Sequence, residues 1–467
     1  MTADPREPPP ALSAEAAGNG AALLTYGSVP RRLYGMAASM MIGFAAAAAF
    51  NFVDTYYVSK LGTDALAAMG YTFPVVMTIL SLAMGIGVGT ASVLSRTIGE
   101  GNPEQIRRVT VDALMLALGL AAVFVAVGLL TLEPLLRALG ATGEPLALAE
   151  RYLRIWYPGV LFVIVPMVGN HAIRATGDTL SPSLIMTVDL GLNAALDPIL
   201  IFGAGPIPPM GIEGAAWATV GCRALSLGAA LYVLGRRKHM LALLRPKLAE
   251  VLDSWRRILY IALPVTGAHL LVPVTMGILT RTVAGFGTET MAAFSAGIRI
   301  ERCAVIPLMA LGTSMVPFVG QNFGRRLGGR IRQALRIAFW TCLGWGAFCV
   351  VGLAALAGPL GTLFTDDPAV QAPLATLLYI LPLAFAMRGI LHSTLGSLNA
   401  INRPVDCGVL NAVRLMGLQV PLALAGAAAI GFPGLLGGIV LGEGISMVLA
   451  VVWLRRLLAV HLPAGGV

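Results

Sequence analysis

LGTDALAAM (61–69) and FGTETMAAF (286–294) are the same segment written twice in one chain. The offset that carries Leu61 onto Phe286 also lays TIGEGNPEQIRR (97–108) on NFGRRLGGRIRQ (322–333), pairing Gly99 with Gly324 and Ile106 with Ile331. Similarity held at one offset across residues 61–108 marks a tandem duplication, so one half predicts the architecture of the other.

The 467-residue chain is 57% hydrophobic and 12% charged, with a mean hydropathy of +0.81. Soluble domains carry about 25% charged residues, so this composition belongs to an integral membrane protein. A spanning helix needs about 20 mostly apolar residues. Twelve such runs are present, at 34–60, 66–95, 108–132, 149–172, 181–203, 212–235, 258–284, 290–320, 333–357, 371–394, 404–429 and 435–458. They are long, continuous and rich in Ala, Leu and Gly, unlike the alternating segments of about 10 residues that build membrane barrels.

The expected fold is therefore an all-α polytopic membrane protein with twelve transmembrane helices in two pseudo-symmetric six-helix lobes. The expected divisions are a flexible tail (1–32), an N-terminal lobe (33–235), a cytoplasmic basic linker (236–257), a C-terminal lobe (258–458) and a C-terminal tail (459–467). The first thirty residues lack an apolar stretch behind an early basic one and do not read as a signal peptide. Six spans return each half to its starting side, giving parallel repeats of the kind found in transporters, with sites inside or between the halves.

Basic residues gather in alternate loops: Arg107 and Arg108, Arg236 to Arg257, Arg325 to Arg336, Arg403, and Arg455 with Arg456. Asp64, Glu133, Glu144, Glu213, Glu289, Asp366 and Asp367 mark the other side. Cytoplasmic loops are enriched in Lys and Arg, so both termini are expected in the cytoplasm of a plasma (inner) membrane protein. The net charge of +9 is accounted for by this bias, and no nucleic-acid partner is expected. The five cysteines have no CxxC spacing, which suggests neither a metal cluster nor a disulfide framework.

Acids inside the spans carry the functional signal. Asp54, in NFVDTYYVSKLG (51–62), ends the first apolar run, and its repeat counterpart is Leu279. A transmembrane helix at this position thus does without an acid in the other half. The fifth span, TVDLGLNAALDPILIFG (187–203), sets Asp189, Asn193 and Asp197 at i, i+4 and i+8, on one helical face. Pro198 then frees a backbone carbonyl near Ala194. A central Asp costs about 2.5–3.5 kcal/mol on membrane insertion, so such acids face a bundle interior or a cavity. Asp54 and Asp197 both lie near the outer ends of their spans and could share a pocket, with Thr219 in the sixth span within reach. Two carboxyls in a poorly solvated pocket titrate as a coupled pair. Such a pair could take up a proton, or with Asn193 and Thr219 supply oxygens to a sodium ion. Either event changes the pocket's charge and could bias a two-state equilibrium. The competing reading is capping of kinked helices or pairing with a buried base; the first and fifth spans hold no Lys or Arg for that purpose, Lys60 being at the membrane edge.

These residues resemble the multidrug and toxin extrusion family of cation-coupled efflux transporters. VDTYYVSKLGTDALAA (53–68), RATGDTLSP (174–182), LNAALDPILIFG (192–203), GIEGAAWAT (211–219) and VGQNFG (319–324) carry the likeness in order and spacing. The resemblance implies two six-helix lobes arranged as a V. It also implies export of amphipathic, often cationic drugs or metabolites against inward proton or sodium flow. Asp54, Asn193, Asp197 and Thr219 match the cation-site residues of the branch that uses the N-terminal lobe. Asp189 and Tyr57 are further candidate site residues, apart from that resemblance. Another branch uses a seventh-span Glu, whereas PVTGAHLLVPV (264–274) has no acid there. GIRIE (297–301) is similar to the DNA-damage-inducible branch. Family first spans often carry a proline upstream of the Asp where this chain has Ser39, so bending of the first helix at a proline is not expected.

Other polar groups read mainly as structural. Arg299, Glu301 and Arg302 form an expected Arg–Glu cluster ahead of a substrate contact. His269 is a packed histidine that could also be a pH-sensitive group in the C-terminal lobe. Arg174 and Asp178 are expected to fix a cytoplasmic turn. Met36, Met40, Met41, Met186 and Met276 are the methionines that could line an adaptable cavity. The expectation is a monomeric antiporter without cofactor apart from its coupling ion, acting on a small amphipathic substrate within the lipid bilayer. A lipid or lipid-linked flippase is the alternative, although it would favour a cationic cavity. A membrane-embedded enzyme is less favoured, since no HExxH, GxSxG or GxxxxGK[ST] is present.

Overall fold

The computed structural model of the chain describes residues 23–241, 247–365 and 367–461. Most of the expected tails (1–22 and 462–467), Arg245 in the linker and Asp366 lie outside these residues. The described residues form α1 (Val29–Ser59), α2 (Thr63–Glu100), α3 (Pro103–Ala138), α4 (Gly143–Ala175), α5 (Leu180–Phe202), α6 (Ile212–Tyr232) and α7 (Leu248–Ala284). They continue as α8 (Thr288–Gly324), α9 (Gly328–Phe364), α10 (Pro368–Ile380), α11 (Leu383–Ala400), α12 (Pro404–Ala412) and α13 (Val420–His461). Wide π turns extend α6 through Val233–Arg237 and join α12 to α13 through Val413–Gln419. No strand occurs among the described residues beyond a single bridge between Ala204 and Ile207.

Ten helical stretches are long and apolar enough to span a membrane, if Pro404–Val460 is taken as one. The pair α10 and α11, bent by 48° at its junction, makes an eleventh. Within α13 the backbone leaves helical geometry at Ile430 and Gly431 (φ 68°). Its two arms then lie antiparallel: Gly426 packs on Gly434 and Gly438 on Leu422, with no room for a Cβ at either contact. The chain therefore has twelve spans among its described residues, as the hydropathy pattern requires.

The duplication is visible in the backbone. Gly62 and Gly287 both begin the second helix of their repeat at φ 108°, Gly101 (80°) matches Arg326 (59°), and Gly177 (92°) matches Asn402 (64°). Each pair is separated by the repeat offset. Asn102 and Asp367 cap α3 and α10 by accepting from Gln105 and Ala369 amides, each ahead of a proline at the first helical position.

The helices pack into two compact units, one holding residues 39–263 and the other residues 24–38 and 264 onward. The two cuts, at Ser39 and Pro264, are again repeat counterparts. The first helix of each repeat therefore contributes its N-terminal part to the other unit, a division different from the expected 33–235 and 258–458. The reason lies in the apolar faces of those parts. In the first unit Ile258, Ile261 and Ala262 of α7 are buried. Trp255 Nε1 donates to the Asp112 carbonyl at 2.9 Å, and Arg108 pairs with Glu250. In the second unit Leu33, Met36 and Ala37 of α1 are buried. The segment before α1 is held by VGQNFG and by Arg330. The Leu24 amide donates to Gln321 Oε1 (3.0 Å), Asn322 Nδ2 donates to the Leu24 carbonyl (3.2 Å), and Arg330 donates to the Gly27 carbonyl (2.8 Å).

A buried charge network closes the second unit. Glu443, on the second arm of α13, is fully buried. It accepts from Arg414 Nη2 (2.8 Å) and Nε (3.0 Å) and from Arg388 Nε (3.2 Å). Arg388 also pairs with Glu301 of α8. Two positive and two negative charges thus join α8, α11, the π turn and α13. The expected cluster of Arg299, Glu301 and Arg302 does not form: Glu301 turns inward to Arg388, while Arg299 and Arg302 are exposed. His269 of α7 lies within electrostatic range of His392 of α11.

At the turn between α4 and α5, Asp178 accepts from the Ser181 amide (3.0 Å) and hydroxyl (2.9 Å) and pairs with Lys238 (2.9 Å). Arg174 does not join it, and instead reaches Met186 Sδ at 3.5 Å and the Phe44 ring. Met36 and Met40 are buried and Met276 packs on the core of the second unit, which makes these three packing residues. Met41 is half-buried.

Both sets of contacts set measurable stabilities. Replacing Glu443 by Gln leaves Arg388 and Arg414 short of a counter-charge, with a cost of about 3–5 kcal/mol. The expected readout is a clear fall in the melting temperature of the purified protein, and an unchanged melt would remove the network's structural role. For Asp178, burial alone would push the carboxyl up, but the Ser181 and Lys238 contacts outweigh it and hold it below its ordinary value of 3.8. A depressed folded-state value stabilises above the unfolded value and is lost as pH falls through the folded one. Asp178→Asn should cost about 1–2 kcal/mol at pH 7, a difference that closes below about pH 4. A deficit that persists in acid would contradict this.

Candidate cation-coupling site

The expected site residues meet inside the first unit. Asp189, Asn193 and Asp197 lie on the buried face of α5, and Asn193 Nδ2 donates to Asp197 Oδ1 at 3.0 Å. Asp54 of α1 lies within electrostatic range of Asp197. Thr219 comes from α6, drawn in because Gly214 packs its Cα against the Leu200 backbone of α5 with no space for a side chain.

Each of the four residues expected to bind the coupling ion presents a buried oxygen with no hydrogen-bond partner among the described residues. These are Asp54 Oδ1, Asn193 Oδ1, Asp197 Oδ2 and Thr219 Oγ1. Buried polar atoms are ordinarily satisfied. Four unsatisfied oxygens on the same neighbouring residues, two of them carboxylate, form a donor set suited to a proton or to a hard monovalent cation.

Asp189 differs from its helix neighbours. Its Oδ2 takes Arg223 Nη1 at 2.8 Å and its Oδ1 takes Ser226 Oγ at 2.6 Å. Arg223 also covers the Phe50 ring at 4.7 Å. The base that neutralises a fifth-span acid is therefore in the sixth span, outside the two spans in which the sequence suggests looking for one. Asp189 is fastened to α6, and Asp54 and Asp197 have no ion-pair partner among the described residues. Tyr57 stacks edge-on against Phe202 (6.5 Å between centroids), at the end of α5 beyond Asp197.

Tyr152 of α4 is the residue that sequence reasoning missed. It is buried and lies within interaction range of Asp54, Asp197 and Thr219. Its hydroxyl can donate to a carboxylate or accept from a protonated one. In the sequence it stands in an ordinary amphipathic stretch, RYLRIWYPG (151–159), with nothing to separate it from Tyr157. Glu443, Arg388 and Arg414 were also passed over, although each is a charge inside an apolar span and could have been flagged on that ground alone.

A cleft of about 710 Å³ lies elsewhere, in the second unit, among Ile380, Leu383, Met387, Val440 and Ile445. It is lined by apolar side chains and has none of the site's chemistry. No group of three or more His, Cys, Asp or Glu with metal-ligand geometry occurs among the described residues. A cation here would depend on the mixed carboxylate, amide and hydroxyl set.

Known proteins share this fold. The MatE family model matches residues 39–199 and 264–425, two blocks that begin at repeat counterparts and at the boundaries of the compact units. The chain is 37% identical over 408 residues to a protein of Shewanella oneidensis named FAD transporter, covering 87% of this chain and 90% of that one. Among solved structures it is similar to the Vibrio cholerae MATE transporter VcmN in its bent form, with a TM-score of 0.88, 28% identity, and coverage of 93% and 98%. It is also similar to a Pyrococcus furiosus transporter described as having a binding pocket of reverse polarity, with a TM-score of 0.84, 27% identity, and coverage of 94% and 98%. The duplicated twelve-helix fold and the two-block family match make the chain a member of the MatE family of multidrug and toxin extrusion transporters.

Proposed function

We propose that the protein is a secondary active exporter of the plasma membrane, with both termini cytoplasmic, driven by a proton or sodium ion bound at Asp54, Asn193, Asp197 and Thr219. The four unpartnered buried oxygens at these residues are the observation that carries this reading. Binding a cation there neutralises two carboxylates that make no ion pair among the described residues, the Arg223 guanidinium being bonded to Asp189. Releasing it restores a charge that must be solvated, and the two states favour different conformations. Tyr152 orients the carboxyls, while Arg223 and Ser226 hold Asp189 and keep α5 and α6 in register. The protein works as a monomer without an organic cofactor. GIRIE (297–301) supports placement in the DNA-damage-inducible branch.

The substrate is a small amphipathic molecule. A cationic drug suits the acidic first unit. A second class is favoured by the relative named FAD transporter, 37% identical over most of both chains: an amphipathic metabolite carrying phosphate. A lipid flippase finds less support, because the first unit offers acids where a headgroup would need bases.

Efflux from vesicles under separately imposed proton and sodium gradients tests the coupling. Asp54→Asn and Asp197→Asn should each reduce gradient-driven efflux to the level of protein-free vesicles, with insertion and melting temperature retained. Full gradient-driven transport in either variant would remove the site. Tyr152→Phe keeps the ring but loses the hydroxyl, and should change the pH or sodium dependence of transport more than its maximal rate. An unchanged dependence would leave Tyr152 a packing residue.

A further inference from the structure

Arg299 and Arg302 stand on α8 one turn apart, exposed and without an ion-pair partner among the described residues. Glu301, between them in sequence, is buried and committed to Arg388. Their depth makes this unusual. The apolar run of α7 reaches its outer end close to the 285–287 turn, and Arg299 is eleven residues into α8, about 16 Å from that end at 1.5 Å per residue. At such depth a charged side chain faces a bundle interior or water, not lipid. The neighbouring positions agree. Ser295, Arg299, Arg302 and Cys303 fall within one exposed arc of the helix, which also carries Ala292 and Met309, so the polar groups are concentrated over its middle turns. Two unpaired guanidinium groups on one water-facing arc are a phosphate-recognition arrangement, since each offers a fork of donors that matches a phosphate bidentately.

We infer that Arg299 and Arg302 anchor the phosphate group of an amphipathic substrate on the second unit. The site is separate from the cation site on α1, α5 and α6. The inference rests on the reading of the chain as an exporter, and it extends that reading to the substrate class: a ring system joined to a phosphate or diphosphate, as in a flavin dinucleotide. A phospholipid headgroup presents the same anion, and the test must separate the two.

Cys303 supplies the reporter, because it is exposed while Cys222, Cys342, Cys349 and Cys407 are buried. Purified protein in nanodiscs of neutral lipid is treated with a charged, membrane-impermeant thiol reagent, alone or with FAD or riboflavin. Labelling at Cys303 is expected, slowed by FAD and unaffected by riboflavin, which lacks the phosphates. Direct FAD binding, followed by its fluorescence, should weaken about tenfold or more in Arg299→Gln/Arg302→Gln, the loss of roughly one charge-assisted contact. Arg299→Lys/Arg302→Lys should recover part of it, and riboflavin binding should be equal in all three. Protection by anionic phospholipid nanodiscs, with none by FAD, would assign the anion to a lipid headgroup and overturn the soluble substrate. Labelling only by a lipid-soluble maleimide would overturn the water-facing arc. Equal protection by FAD and riboflavin would overturn the phosphate contact. These readouts involve no ion gradient, so failure of cation coupling at Asp54 and Asp197 would leave them unchanged.

Discussion

A charge inside a membrane protein has to be paired, protonated, bound to an ion or kept in contact with water, because hydrocarbon does none of these things. Several charged residues in the spans of this chain illustrate these outcomes. Asp189 is paired with Arg223. Glu443, Arg388, Arg414 and Glu301 neutralise one another in a single network. Asp54 and Asp197 are left with buried, unpartnered oxygens, and Arg299 and Arg302 are left exposed. The paired groups build the scaffold, and the proposed cation and phosphate contacts fall on unpaired ones.

The duplication shapes how these groups are used. Both repeats share the same turns, down to positive φ values at matching positions, and both lend the N-terminal part of their first helix to the opposite unit. Their polar interiors have nonetheless diverged. The first repeat keeps acids on its first and fifth helices. The second has Leu279 in place of Asp54, and fills its interior with a balanced arginine–glutamate network. A common fold thus carries two different electrostatic interiors.

The fold was largely legible in the sequence because span length and repeat offset are local or periodic properties. Twelve apolar runs became twelve spans, and the repeat offset reappeared in the glycines, the unit boundaries and the family match. Asp54, Asn193, Asp197 and Thr219 could be singled out because each is an oxygen-bearing side chain in an apolar helix. What the sequence concealed was pairing. Whether Asp189 is free depends on Arg223, 34 positions away on another helix. Glu301 reads as a partner of its neighbours Arg299 and Arg302 until Arg388, 87 positions on, claims it. Tyr152 has no distinguishing pattern, and only the packing of α4 brings it into range of Asp54, Asp197 and Thr219. The exchange of helix ends between units was likewise invisible, since it depends on which neighbours each end packs against.

The central claim is that the carboxyl pair of the first unit carries the coupling cation. It is tested most directly by cation release on substrate binding, measured with purified protein in weak buffer or with radioactive sodium. Substrate added to the wild-type protein should displace a proton or a sodium ion, and none should be displaced from the Asp54→Asn/Asp197→Asn double variant. Equal release from both proteins would place the coupling cation elsewhere.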